Sequence, residues 1–267
     1  MITVTGWMLL FRGAVRMESE LLAFEHVTCS ADSVSLNAVS FRLNRGENLV
    51  IFGPESSGVD LISPLIAGII HFSGGDIYYK GRPIKNFTFS EELAYRKDLG
   101  YLQKDYGLIN NMTVEQNISL PLQYHSQLSG EGIRDVVDGF VRELNLEHCR
   151  DFRPVRLLRS EALKTAYARA IALDPDLLLF EHFLEGQCLI NAQTVLRSIE
   201  RRFVSGNKSV IFVTYEPERF VSFADRFLML DHGAIVFMGT RDDFLRADNE
   251  FLAQYMRSST EGPMTIL

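Results

Sequence analysis

The chain predicts an α/β fold with a mostly parallel, helix-covered sheet, and three observations predict it. Unbroken apolar runs alternate with stretches whose apolar residues recur at helical spacing, the pattern of strands joined by crossover helices. One such run, Asn48-Leu-Val-Ile-Phe52, feeds into Gly53-Pro-Glu-Ser-Ser-Gly58, the glycine frame of a phosphate loop. Residues 110–160 differ in texture: Val136, Val137, Phe140, Val141 and Leu144 mark amphipathic helices and predict a separate helical subdomain.

Taken in order, residues 1–20 are expected to be an N-terminal extension. Its apolar patch Trp7–Phe11 is followed by Arg12 and Arg16, the reverse of a signal peptide, so Met17 stands as an alternative start. Leu21 to Leu43 holds β-patterned runs split by Ser30-Ala-Asp-Ser33, as in a β-rich lead-in. A helix is predicted over Leu61 to Ile70, a turn at Ser73-Gly-Gly75 and a strand from Asp76 toward Gly81. A second helix, about Ala162 to Leu173, runs into the stop Asp174-Pro175-Asp176 and the strand Leu177 to Phe180. A helix over about 191–204, a turn at Gly206-Asn207 and a strand Ser209 to Thr214 follow. A hairpin pairs Phe227–Leu230 with Ala234–Met238, and the domain of residues 21–253 gives way to a tail over 254–267.

Bulk properties narrow the function classes. At 267 residues, 46% hydrophobic and 23% charged, the chain has ample material for one large core. The net charge of -7 speaks against nucleic acid, so no such partner is expected. Cys29, Cys149 and Cys188 are scattered without metal spacing, which reads as structural thiols in a reducing compartment and predicts no metal site. No apolar segment is long enough to span a bilayer.

Many small landmarks arrive in order: Val39-Ser-Phe and Arg45-Gly-Glu47 before the phosphate loop, Ala67-Gly68 and Ser73-Gly-Gly-Asp-Ile77 after it. Met112-Thr-Val-Glu-Gln-Asn117, Ala168-Arg-Ala-Ile-Ala-Leu-Asp-Pro-Asp-Leu-Leu-Leu179 and Val213-Thr214 follow. On these residues the chain resembles the ATPase subunit of ATP-binding-cassette (ABC) transporters over about residues 21–253. Within them it most resembles the ATPase of Mla/MCE-type phospholipid transporters, through Leu120-Pro-Leu-Gln-Tyr-His125, Phe180 to Ile190 and Phe251 to Pro263. The resemblance implies a P-loop NTPase fold with a mostly parallel core sheet, an antiparallel β subdomain and a helical subdomain, ATP and Mg²⁺ as cofactors, and a membrane permease as partner. It further implies a homodimer or a heterodimer with another such ATPase, at the inner face of a bacterial inner membrane.

The departures fall on the chemistry. A phosphate loop needs Lys to reach the β- and γ-phosphates and a hydroxyl for Mg²⁺; here stand Val59 and Asp60. Each lost charge-assisted hydrogen bond is worth about 1.5–3 kcal/mol, and Asp60 adds a like charge beside a polyanion. Asp60 recruiting Mg²⁺ directly is the alternative. The residues left to meet a nucleotide are Gly53, Ser56, Ser57, Gly58, Val59 and Asp60, with backbone N–H groups of Ser56, Ser57 and Gly58 at the helix start able to favour an anion.

By the resemblance, the strand that should end Asp-Glu ends Glu181-His182; Glu181 keeps a carboxylate, while His182 either fills the slot or accepts a proton. Loss of a general base costs roughly 10²–10⁴-fold. The signature motif is replaced by Leu157-Leu-Arg-Ser-Glu161, with Leu158 at the serine and Arg159 and Ser160 at the glycines; Arg159 supplying charge to phosphate is the other reading. The switch histidine is Tyr215, the D-loop aspartate Cys188, and the adenine-stacking aromatic falls near Ala31. At the Q-loop an ungapped count puts Lys104 at the glutamine, with Gln103 one residue early.

The expectation is therefore a pseudo-ATPase, with ATP and Mg²⁺ binding weak or absent, no catalytic residue, and Glu181, His182 and Tyr215 as positional equivalents only. Two alternatives stand: a residual ATPase with an altered Mg-ATP site, and a soluble interaction module detached from transport.

Overall fold

The computed structural model describes residues 20–204 and 208–265; the extension before Glu20, including Met17, and the turn at Gly206-Asn207 lie outside the described residues. Strands β1 (Glu20–Ala31) and β2 (Val34–Asn44) form an antiparallel hairpin across the Asp32-Ser33 turn. β3 (Asn48–Phe52) is buried at every residue, as its unbroken apolar run demands. Helix α1 (Val59–Ile66) follows the loop.

The remaining elements are β4 (Gly74–Tyr79), β5 (Arg82–Pro83), α2 (Phe89–Asp98), β6 (Leu99–Leu102), α3 (Val114–His125), α4 (Gly130–Glu143) and α5 (Arg159–Ile171). Then come β7 (Leu177–Glu181), α6 (Leu189–Ile199), β8 (Ser209–Thr214), β9 (Arg226–Asp231), β10 (Ala234–Thr240), α7 (Arg241–Arg246) and α8 (Glu250–Met256).

Two sheets result. A four-stranded antiparallel sheet runs β2-β1-β4-β5; a six-stranded sheet runs β10-β9-β3-β8-β7-β6 and is parallel except for β10. The fold is thus the α/β P-loop arrangement expected, with its antiparallel β subdomain and the helices α3 and α4 making the helical one. Alternate faces of the parallel strands feed two cores. Val50, Phe52, Phe180 and Phe212 point to the helical side; Leu49, Ile51, Leu179 and Ile211 point to the β subdomain.

Boundaries differ from expectation for local reasons. α1 stops at Ile66 rather than Ile70, because Gly68 turns left-handed (φ 67°) and Ile69 N–H bonds back to Pro64 O. The expected turn at Ser73-Gly-Gly75 is partly strand, since Gly74 already pairs with Thr28. α5 begins at Arg159, three residues early, because Glu161 accepts the Leu158 N–H at 2.8 Å and caps the first turn. α8 runs to Met256, across the expected boundary at 253/254, and Gln254 ties back to Met264 through hydrogen bonds of 2.7 and 3.2 Å.

Candidate functional site

β3, β8 and β7 are adjacent and parallel, so their carboxyl ends open on one edge; Phe52 pairs with Thr214, and Glu181 with Val213. That is where open α/β sheets place their sites. Three loops leave from this edge: Gly53 to Gly58, His182 to Cys188 and Tyr215 onward.

The loop after β3 keeps its backbone. A Cβ on Gly53 would lie 2.2 Å from Leu230 O, and one on Gly58, at φ 94°, would lie 2.6 Å from Ser35 O. Both positions admit only glycine. Of the amides expected to face an anion, Ser57 N–H is spent on Pro54 O at 3.1 Å. The next amide along, Val59 N–H, is spent on Ser57 Oγ at 3.3 Å. Val59 is 1% exposed, an apolar anchor of the helix start inside the β-subdomain core.

Asp60 is the centre of the site. Its Oδ1 lies 2.8 Å from His182 Nε2, and its Oδ2 accepts the Tyr215 hydroxyl at 2.6 Å. Because a carboxylate only accepts, His182 Nε2 carries the proton. His182 is buried, stands at φ 45° and is held by its own N–H on Val213 O at 2.9 Å. Its ring leans on Tyr215 with centroids 4.2 Å apart. Burial alone would raise the Asp60 carboxyl; the hydrogen bonds from His182 and Tyr215, then the fields of His182 and Lys104, outweigh it and hold the group below the usual carboxylate range. Burial first, and the Asp60 carboxylate next, push the Tyr215 phenol up, so it stays a donor.

The other residues read from the sequence are placed as follows. Glu181 accepts from the Tyr101 hydroxyl and takes no part in the Asp60 network. Lys104 pairs with Glu185 at 3.3 Å and contributes to the field at Asp60, whereas Gln103 lies against Gly107. Leu158 is 68% exposed, and Arg159 donates to Glu185 O at 2.7 Å. Gln187 is buried and bonds Tyr106 Oη at 2.6 Å and Arg159 O at 3.0 Å.

Three features escaped the sequence. Tyr255 of α8 donates its hydroxyl to Tyr215 O at 2.7 Å and approaches Gly53 O at 3.2 Å, tying the C-terminal helix to two site loops. A cavity of about 950 Å³ beside the phosphate loop is lined by Glu55, Glu216, Glu218 and Asp231, with Tyr215 and Tyr255 as its aromatic walls. Remote from it, His148, Cys149 and Glu161 bring their ligand atoms within 4.8 Å of one another, although no cysteine spacing announced it. The His148–Glu161 contact of 2.6 Å and the Cys149 hydrogen bond to Leu146 O satisfy this trio internally.

Polar contacts hold the loop between β6 and α3 against helices α3 and α5. Asn117 accepts Ile109 N–H at 2.9 Å and donates to the carbonyls of Ile109, Met112 and Thr113. Arg169 of α5 donates to Tyr106 O and Gly107 O at 2.9 and 2.8 Å. No described helix is long and apolar enough to cross a membrane.

Comparison with known proteins agrees with this architecture. The chain is 26% identical over 249 residues to the intermembrane phospholipid transport system ATP-binding protein MlaF of Haemophilus influenzae, covering 93% of this chain and 94% of that one. It is 26% identical to the protein of the same name from Escherichia coli K12, over 88% of this chain and 86% of that one. A solved dimeric ATP-binding cassette, MJ0796 in a post-hydrolysis state with ADP and Pi, superposes with a TM-score of 0.75 at 21% identity, over 83% of this chain and 99% of that one. Residues 36–182, more than half of the 267, match the family described as ABC transporter. On that match and this fold, the chain belongs to the ABC transporter family as an ATP-binding domain.

Proposed function

We propose that this chain is the cassette subunit of a membrane lipid transporter, with phospholipid as cargo class, and that it braces or regulates a permease without hydrolysing ATP itself. It works at the inner face of a bacterial inner membrane, paired with a second cassette subunit. The phospholipid reading is supported by the two MlaF relatives named for that transport.

The observation that carries the silent site is the Asp60 network. The residues present do not fit a magnesium-bound triphosphate. The ammonium that would meet the β- and γ-phosphates is replaced by the buried Val59, and the metal-binding hydroxyl by a carboxylate already bonded to His182 and Tyr215. The adjoining cavity is lined by the exposed carboxylates of Glu55 and Glu218, while Glu216 pairs with Arg219 at 2.8 Å, and the two exposed groups disfavour a polyanion. Each missing charge-assisted bond removes about 1.5–3 kcal/mol of affinity.

The permease reading is supported by a groove of about 680 Å³ between strand β6 and helices α3 and α5, lined by Leu99, Met112, Leu120, Pro121, Tyr124 and Arg169. Tyr124 is 76% exposed there. Charge reversal within residues 104–118 is expected to lower co-purification of the permease.

The deciding experiment is nucleotide binding by the purified chain, with and without Mg²⁺. No binding at millimolar ATP is expected; micromolar binding would overturn the silent-site reading. A residual ATPase is the second reading, favoured by the carboxylate of Glu181 at the β7 end. Mg²⁺-dependent hydrolysis that disappears in Glu181→Gln would establish it instead.

A further inference from the structure

We infer that His148, Cys149 and Glu161 form a zinc-type metal site, holding a divalent ion by one nitrogen, one sulfur and one oxygen. The site is separate from the phosphate loop and does not depend on whether that loop holds nucleotide.

Folding, not sequence spacing, brings the donors together. His148 and Cys149 are neighbours in the short helical turn Glu147–Cys149 that follows α4, and Glu161 lies in the first turn of α5. Among the described residues, this trio alone brings three such ligand atoms within 4.8 Å of one another. Around a tetrahedral zinc, bonds of about 2.0–2.3 Å set neighbouring ligand atoms about 3.3–3.6 Å apart. The trio brackets that spacing, with His148 Nε2 2.6 Å from Glu161 Oε1 and every separation within 4.8 Å. The His148 side chain is 63% exposed, so its ring has room to adjust, while Cys149 and Glu161 are buried and fixed.

Binding an ion leaves no polar group without a partner. The Cys149 thiol donates to Leu146 O at 3.4 Å, but that carbonyl also accepts the Cys149 N–H at 3.1 Å and keeps it when the thiol proton leaves. Glu161 offers Oε1 to the ion while its Oε2 still accepts the Leu158 N–H at 2.8 Å, which fixes the carboxylate's direction. His148 Nε2, which now shares a proton with Glu161, meets the ion in that proton's place, as the neutral tautomer protonated on Nδ1. Burial first, then the Glu161 carboxylate, push the Cys149 thiol up to about 11, so binding displaces the thiol proton to solvent.

The donor set selects the ion. Imidazole and thiolate beside a carboxylate suit Zn²⁺, whereas Mg²⁺ and Ca²⁺ take oxygen ligands. Glu147 and Glu161 act on the sulfur against Lys164, a local field that favours a cation. An ion held here would pin the turn after α4 to the start of α5, the stretch that carries Leu158 and Arg159.

The test uses the full chain, reduced and freed of metal by a chelator, titrated with Co²⁺ as an optical probe and then with Zn²⁺. One equivalent of Co²⁺ is expected to give the near-ultraviolet charge-transfer band of a cobalt–thiolate bond. Zn²⁺ should abolish that band by displacement, bind at micromolar concentration or tighter, and raise the thermal midpoint. Cys149→Ser is expected to remove the band, and His148→Ala and Glu161→Gln to weaken Co²⁺ binding at least about ten-fold. Circular dichroism checks each variant; the exposed His148 variant is expected to stay folded, and it decides the matter if a buried one does not. Cys188→Ser, which alters the exposed thiol, should leave the band unchanged. Absence of a thiolate band, or binding only at millimolar metal, overturns the inference. So does a band at full strength in His148→Ala, or one lost in Cys188→Ser.

Discussion

At Gly53 and Gly58 the backbone of the phosphate loop still permits no side chain, whereas Val59, Asp60, His182 and Tyr215 around it no longer suit a triphosphate. The first pair is held by packing: Leu230 O and Ser35 O occupy the space a Cβ would need. The second group is held by mutual hydrogen bonds, the carboxylate taking a donor on each oxygen. Scaffold and chemistry are therefore separable here, because the sheet below needs the turn whatever the turn binds. The helical subdomain sides with the scaffold, its Asn117 and Arg169 contacts serving the fold and not a ligand.

Breaking the scaffold gives the largest effect. Phe180 is fully buried, stacks on Phe212 and packs at a tilt against Phe183, so Phe180→Ala should cost about 3–5 kcal/mol in denaturant unfolding. Restoring the chemistry on the intact scaffold comes next. Val59→Lys with Asp60→Ser returns an ammonium and a hydroxyl, and calorimetry should find ATP affinity raised at least ten-fold, from about 1.5–3 kcal/mol per charged bond, with no hydrolysis while His182 remains. No gain in affinity would mean that the loop backbone too has lost its phosphate geometry.

Gly58→Ala tests the loop itself: a side chain at φ 94° against Ser35 O should cost about 1–3 kcal/mol of stability, read by thermal unfolding. Tyr215→Phe removes one donor to Asp60 and should cost about 1 kcal/mol.

The smallest effect is a pH dependence. The Asp60 carboxyl is lowered in the folded state, so its contribution is fully present above the unfolded value of about 3.9 and is lost as pH falls through the lower folded value. With the side chain 48% exposed, solvent screening keeps that contribution below about 1 kcal/mol. The stability difference between wild type and Asp60→Asn should be constant above about pH 4 and shrink below it. A difference that grows on acidification would contradict the network.

Much of the fold was legible because it is written locally. Asn48 to Phe52 and Ser209 to Thr214 are apolar throughout, and both are strands buried on two faces. The end of α1 was misread since helical periodicity continues past Ile66; the left-handed backbone of Gly68 stops it. The site was half legible. Motif positions singled out Asp60, His182 and Tyr215 one by one, but neither reading of His182, slot filler or proton acceptor, included its bond to a residue 122 positions away. Tyr101 on Glu181 and Tyr255 on Tyr215 carried no local signal at all.

The order of strands and helices, the glycine frame of the loop and the loss of its lysine and hydroxyl follow from the chain alone, since each depends on neighbours along the backbone. That Asp60 would be met by an imidazole from the end of β7 and a phenol from the end of β8 was decided by the parallel register of β3, β8 and β7. The physical reason is range: backbone preference acts over a few residues, while a carboxylate's partners are whatever donors the folded sheet delivers to it.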